Sequence, residues 1–429
     1  MLDLIIRKVT LPNGKQNMDI GCKGGKIVAV ASNLAEQGKH EIRADGFLAS
    51  PPFVDAHFHM DATLSYGIPR INRSGTLLEG IALWGELKPL LTHEAVKSRA
   101  RDYCRWAIAR GLLAIRTHVD ICDSRLLAVE ALLDIKKEMA PYIDIQLVAF
   151  PQDGYFRHKD AVKLMDRALS MGVDVVGGIP HFERTMEDGK RSVTALCEIA
   201  AKRGLMVDLH CDETDDPNSR HIETLAYETQ RLGLHGRVSG SHLTSMHSID
   251  NYYASKLLPL IAESQIHAIP NPLANMWLMG RHDTYPKRRG LTRIKEMLKM
   301  GINVALGQDS TMDPWYSLGS AEMLDVANMA IHAAHMTSLE EMKECYNGVT
   351  YYPAKAMQLT NYGLEIGCNA DIVILQAPSV VDAIRLRANR LWVIRRGKII
   401  AQSQPHLNQV ITDKTYDVNF IANSQVYLQ

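Results

Sequence analysis

Between residues 53 and 307 the chain alternates short apolar runs with longer stretches of helical periodicity. The runs are Phe53–His57, Ala114–Val119, Asp144–Phe150, Val173–Ile179, Met206–His210, Arg237–His242, Ile266–Pro270 and Asn303–Gly307. Each is five to seven residues long and largely apolar, as strands buried on both faces are. Arg125–Met139 carries Leu126, Val129, Leu132, Leu133 and Ile135 as one apolar stripe and predicts a helix, as does Thr292–Met300. Eight strands with crossover helices over about 300 residues predict an α/β fold, a (β/α)8 barrel. A doubly wound open sheet is the alternative. It would carry a glycine-rich nucleotide turn, and neither GxGxxG nor GxxxxGK[ST] occurs. Ala321–Met336, Leu339–Tyr346 and Pro353–Gln358 read as helices that close the barrel.

The two ends have a different texture. Leu4–Ile6, Met18–Cys22 and Lys26–Ala31 are short strands broken at Pro12-Asn13-Gly14 and Gly24-Gly25. Ala370–Leu375, Leu391–Ile394 and Lys398–Ala401 repeat that texture, with a turn at Arg396-Gly397. The echo between GGKIVAVA and RGKIIA predicts that both ends join in one small β-sandwich domain. The expected division is 1–50 with 362–429 for the sandwich and 51–361 for the barrel. The tail from Gln402 is polar with scattered apolar residues and predicts little.

Composition narrows the function. Lys+Arg and Asp+Glu both number 48, so no net field draws the chain to nucleic acid or to an anionic membrane. A small, weakly charged substrate suits this balance. Seven scattered cysteines without a CxxC spacing argue against a disulfide framework and a zinc knuckle. The N-terminus lacks a signal-peptide pattern and no apolar stretch is long enough to span a membrane, so a reducing cytoplasm is the expected home. A homo-oligomer is expected.

The chemistry gathers at strand ends. In His57-Phe58-His59 two imidazoles separated by one residue face the same way from an extended strand. Later runs end in Gln152-Asp153, His210-Cys211-Asp212-Glu213, Ser241-His242 and Gln308-Asp309-Ser310. A barrel brings such ends together at its C-terminal mouth. His57, His59, His210 and Asp309 suit one Zn2+ or Fe2+ with a position left for water, which such an ion makes a nucleophile near neutral pH. Glu213 reaches substrate without being a ligand and can shuttle protons. His242 either orients the attacking water or adds a ligand, and the first is preferred. The fourth run ends in Pro180-His181-Phe182 with no lysine to bridge two metals. His181 and Glu183 are open to structural or substrate-facing roles, and Cys211 reads as a buried spacer.

Over most of its length the chain resembles the amidohydrolase superfamily, and within it the barrel-type bacterial cytosine deaminase group. The segments that carry the resemblance include SPPFVDAHFHMDAT, IRTHVD, VAFPQDG, VVGGIPHFE, HCDETDD, SHLTSMHS and GQDSTMDPW. HxH is common to the superfamily, whereas FPQxG, HCDExDD and DxxxDPW together are specific to this group. The resemblance implies His57, His59, His210 and Asp309 as ligands to Zn2+ or Fe2+. It implies Glu213 as the acid that protonates the ring nitrogen, Asp309 as the acceptor of the water proton, and His242 as the group polarising the attacking oxygen. Gln152 would grip the amide-like edge of a free pyrimidine base, the backbone near Leu77 would add a contact, and Trp315 would form a wall. One departure stands out. Where typical members have a second aspartate after the metal aspartate, this chain has Ser310, and Gln308 stands before the ligand in place of histidine. A serine leaves room for one methyl group at the pyrimidine C5 edge, worth ~1–3 kcal/mol or roughly ten- to two-hundredfold. Deamination of 5-methylcytosine to thymine, of cytosine to uracil, or of both, is therefore expected. Deamination of isoguanine or creatinine, ring-amide cleavage and an inert binding barrel are the competing readings.

Overall fold

The computed structural model describes residues 1–421. Its chain falls into two compact units, Met1–Pro51 with the residues from Gly363 onward, and Pro52–Tyr362.

The larger unit is built on seven parallel strands: Phe53–Phe58, Leu112–Asp120, Asp144–Phe150, Val175–Gly178, Met206–Cys211, Val238–His242 and His267–Ile269. They are hydrogen-bonded in strict chain order. A doubly wound sheet reverses direction at a switch point, so this order excludes it. Every residue in five of the seven strands is buried, which explains why they read as continuous apolar runs; in the other two, Asp144, Gln146 and Met206 are the half-buried exceptions near the strand starts.

The expected eighth strand, Asn303–Gly307, is not a regular strand. The segment joins the seventh strand through single bridges, Ala268 N–H to Asn303 O (3.0 Å) and Ala305 N–H to Ala268 O (2.9 Å). It joins the first through Asp309 N–H to His57 O (2.8 Å) and His59 N–H to Asp309 O (3.0 Å). The ring is closed, but by an irregular stave. Its backbone runs so close to its neighbours that a Cβ on Gly307 would collide with the Asn271 side chain and with His57.

Helices fill the crossovers, among them Leu77–Leu87, His93–Ala109, Leu127–Met139, Ala161–Ser170, Met186–Arg203, His221–Arg231 and Asn251–Glu263. The predicted helix from Arg125 starts two residues later, because Leu126 sits in the left-handed region (φ +52°). The one predicted from Thr292 is shortened to Ile294–Lys299. Met323–Ala333, Leu339–Asn347 and Tyr351–Ala356 follow the eighth stave.

The smaller unit holds two four-stranded sheets. One contains Leu2–Val9, Met18–Lys23, Lys26–Ala31 and the unforeseen strand Gly38–Arg43, which runs parallel to the first. The other joins Leu48–Ser50 to Ile372–Leu375, Arg390–Arg395 and Lys398–Gln402. The two Gly-Lys strands that echo each other thus lie in different sheets. Leu4, Ile6, Ile20 and Ile27 pack with Ile372, Ile374, Leu391 and Ile394 in one buried cluster, so the two ends share a core. In the polar tail Asn408–Ile411 and Thr415–Val418 pair as a hairpin, which its composition did not announce; residues beyond 421 lie outside the described part.

Candidate active site

The first barrel strand delivers His57 and His59, the fifth His210, and the irregular eighth stave Asp309. One ligand atom from each lies within 4.8 Å of all the others. His57 Nε2 and His59 Nε2 are 3.4 and 3.5 Å from Asp309 Oδ1, and His59 Nε2 is 2.9 Å from His210 Nε2. All four residues are under 8% exposed. Burial first, then neighbouring imidazoles, hold the three histidines well below their ordinary pKa, so they are neutral. Burial, followed by the charges of Glu213, Asp313 and Asp55, pushes Asp309 well above the usual carboxylate range. Neutral imidazoles turned toward one carboxylate, with buried His57 Nε2 lacking any hydrogen-bond partner, fit a single divalent cation. The fourth strand, Val175–Gly178, contributes no lysine to this cluster.

Glu213 and His242 lie beside the cluster. His242 Nδ1 is 3.3 Å from Glu213 Oε1, and donor atoms of Glu213, His242 and Asp309 also lie within 4.8 Å of one another. Burial pushes the Glu213 carboxyl up to about 8, so it holds a proton at neutrality. Its loop is pinned by Asp212, which accepts from the His221 ring (2.8 Å), the Ser219 hydroxyl (2.7 Å) and two backbone N–H groups. His242 is flanked by Asn275 Nδ2 at 3.0 Å and Asn271 Nδ2 at 3.2 Å. Asp212, His242 and Asp309 all have positive φ (+55°, +68° and +71°), a conformation that costs side-chain-bearing residues energy and clusters at functional sites.

A small cavity is lined by His59, Leu77, Gln152, His210, Glu213, His242, Asp309, Ser310 and Trp315, with Ile179 and Leu278 as further apolar walls. Every site residue expected from sequence faces it except His57, which is packed beneath. Leu77 opens the helix capped by Thr76, whose hydroxyl accepts from Glu79 N–H. Asp313 accepts backbone bonds from Trp315 and Tyr316 through one carboxylate oxygen (2.9 Å each). Beside Gln152, Lys88 joins Asp153 (2.7 Å) to Asp120 (2.8 Å), which also accepts from Trp84 Nε1.

His181 and Glu183 do not reach the cavity. A His181 ring nitrogen lies 3.1 Å from the His210 carbonyl, and Glu183 accepts the N–H groups of Tyr155, Phe156 and Arg157. Cys211 is buried and its thiol donates to Asp212. Sequence reasoning placed Asp212 and Ser241 at strand ends without giving them a role, and passed over His118 and Asp208 below the cluster and Asn271 and Asn275 around it. A signal existed for several: Arg116 with His118, Asp208 with His210, and Ser239 with Ser241 alternate like the two histidines that were noticed.

The description of the amidohydrolase family matches residues 40–401. The chain belongs to the amidohydrolase family. This amidohydrolase is 42% identical to the solved 5-methylcytosine deaminase of Klebsiella pneumoniae, with a TM-score of 0.91 over 94% of this chain and 98% of that one. It is 29% identical to the N-isopropylammelide isopropyl amidohydrolase of Pseudomonas sp. strain ADP, over 94% of this chain and 98% of the relative. It is 27% identical to a pterin deaminase of Rhizobium rhizogenes, over 90% and 87%.

Proposed function

We propose that this amidohydrolase hydrolyses the exocyclic C–N bond of a free pyrimidine base, converting 5-methylcytosine to thymine and cytosine to uracil with release of ammonia. The observation that carries the reading is the meeting of Glu213, His242 and Asp309 in one buried cavity with Gln152 at its wall. The likeness to a 5-methylcytosine deaminase supports the choice of base.

His57, His59, His210 and Asp309 would hold one Zn2+ or Fe2+. Such a cation supplies Lewis acidity that makes water a nucleophile near neutral pH. Asp309 takes a proton from the attacking water, while His242, held by its two asparagines, hydrogen-bonds the attacking oxygen. Oxygen adds to C4, which becomes tetrahedral. Glu213, protonated at neutrality, donates to ring N3, so the charge gathering there is neutralised as the C4–O bond forms. Asp309 passes its proton to the amino group, the C4–N bond breaks with loss of ammonia, and the C4 hydroxyl proton returns to Glu213 as the carbonyl forms, so base plus water leave as the oxo base plus ammonia. The Gln152 carboxamide matches the base's carbonyl and ring N–H with one donor and one acceptor. Leu77, Ile179, Leu278 and Trp315 give the cavity its apolar walls.

Ser310 carries the methyl preference. An aspartate there would fill space at the C5 edge and add a charge beside Asp309 and Asp313. The test is ammonia release from 5-methylcytosine, cytosine, isoguanine, creatinine and a pterin at defined metal content, in the wild type and in Ser310→Asp. Faster turnover of 5-methylcytosine, reversed toward cytosine by the substitution, is expected. Turnover confined to a non-pyrimidine would overturn the substrate, and a strong cytosine preference that Ser310→Asp leaves unchanged would overturn the Ser310 argument.

A further inference from the structure

Beneath His57 a line of buried side chains leads away from the cavity. Arg116, Asp208, Ser241 and His57 are each 0% exposed. Arg116 Nη1 donates to Asp208 Oδ2 at 3.0 Å. The Ser241 hydroxyl donates to Asp208 Oδ1 at 2.7 Å, and Ser241 Oγ lies 2.9 Å from His57 Nδ1.

The direction of these bonds follows from the far end. Paired with the Arg116 guanidinium, Asp208 is a carboxylate and can only accept. Ser241 has a single hydroxyl hydrogen, and Asp208 takes it. His118 Nε2, at 3.7 Å, is too far from Oδ1 to replace that bond. Toward His57 the Ser241 oxygen can therefore serve only as an acceptor. Nδ1 carries the imidazole hydrogen and Nε2 carries the lone pair. Nε2 is the atom 3.4 Å from Asp309 Oδ1 that has no hydrogen-bond partner.

We infer that Asp208, acting through Ser241, is a positioning residue that fixes the tautomer of His57 and turns its Nε2 lone pair to the cation. This rests on the ligand role proposed above for His57. Buried carboxylates commonly hold metal-binding histidines directly; here a hydroxyl is interposed, and that gives the relay a distinctive behaviour. In Asp208→Asn, Arg116 still needs an acceptor and keeps the amide oxygen, so the amide NH2 faces Ser241. The NH2 donates to Oγ, the hydroxyl hydrogen swings to Nδ1, and the imidazole hydrogen is driven to Nε2, where it blocks the cation. Removing the hydroxyl breaks the relay without reversing it.

The test uses the full chain. Zn2+ affinity is measured by chelator competition, and ring-nitrogen NMR of the metal-free protein reports the tautomer. Ser241→Ala is expected to weaken Zn2+ binding roughly 10- to 100-fold, with Ser241→Thr staying near wild type. Asp208→Asn is expected to be weaker than Ser241→Ala, and the double variant to recover to the Ser241→Ala level. A double variant worse than both singles, or Asp208→Asn milder than Ser241→Ala, overturns the relay. If Asp208→Asn does not fold, the wild-type spectrum decides, since His57 protonated at Nε2 in the metal-free protein refutes the inference. A wild type that binds no divalent cation would instead sink the ligand reading, while the tautomer remains measurable.

Discussion

Gly80→Ala sets two general rules against each other. Gly80 lies inside the helix Leu77–Leu87, where replacing glycine by alanine ordinarily stabilises by about 1 kcal/mol. Here a methyl at Gly80 would come within 2.7 Å of Trp315 Nε1 and closer still to Cδ1. The indole must retreat by about 1.1 Å to regain ordinary 3.4 Å contact at Cδ1, its nearest atom. The helix has little freedom to yield instead, because Asn72 Nδ2 bonds both Thr76 O and Pro314 O at 3.1 Å. The Trp315 backbone is likewise held, by Asp313. The ring therefore turns into the cavity, toward His59, whose ring centroid is 5.9 Å away. Overpacking of this kind costs about 1–3 kcal/mol, or roughly 5- to 150-fold if it falls wholly on substrate binding. Steady-state kinetics on 5-methylcytosine and cytosine, with thermal unfolding alongside, measure the division. A raised KM with a Tm that does not increase is expected. Unchanged KM with a Tm raised by several degrees would show that propensity wins and that Trp315 is not a rigid wall.

Three further outcomes follow from other parts of the site. Glu213→Gln keeps the shape but not the proton, so kcat should fall about 10²–10⁴-fold with little change in KM; because burial holds the Glu213 proton up to about 8, wild-type activity should decline as pH rises through that region, with a bound cation drawing the limb lower, and the variant's residual rate should lack it. His267, 4% exposed, is lowered to about 4, chiefly by burial. Its unfolded form gains a proton below about 6.5 while the native form does not, so stability should drain away as pH falls from 6.5 toward 4, by up to ~3 kcal/mol from this residue; urea midpoints at pH 7 and pH 5 should draw closer together in His267→Gln. Lys88→Met strands the buried Asp120 carboxylate and frees Asp153 beside Gln152. A loss of about 3 kcal/mol by urea denaturation, with a raised KM, is expected, and unchanged values of both would refute that role.

Much of the barrel was legible because both faces of its strands are buried, and such strands announce themselves as unbroken apolar runs. Phe53–Phe58, Asp144–Phe150 and Met206–Cys211 began where expected. The eighth stave misled because Asn303–Gly307 has the same composition, while its conformation is set by neighbours: Gly307 is pressed on His57, and Asp309 adopts positive φ. Gly38–Arg43 went unseen because its residues are mostly exposed or half-buried, as suits a sheet edge. The polar residues facing the cavity were legible from their places at strand ends. Asn271 and Asn275 were not, nor was the role of Asp212, since asparagine and aspartate in loops are far more often ordinary turn residues, and only packing around His242 and Glu213 sets them apart.

The irregular stave gives the cation a mechanical part as well as a chemical one. Asp309 hangs on the least regular segment of the hoop, which a handful of hydrogen bonds ties to its two neighbours, while the three imidazoles come from staves one and five. An ion gripped by all four would act as a clasp across the seam. Emptying the site should then loosen Asn303–Asp309 before any other part of the wall, and amide exchange should quicken there first.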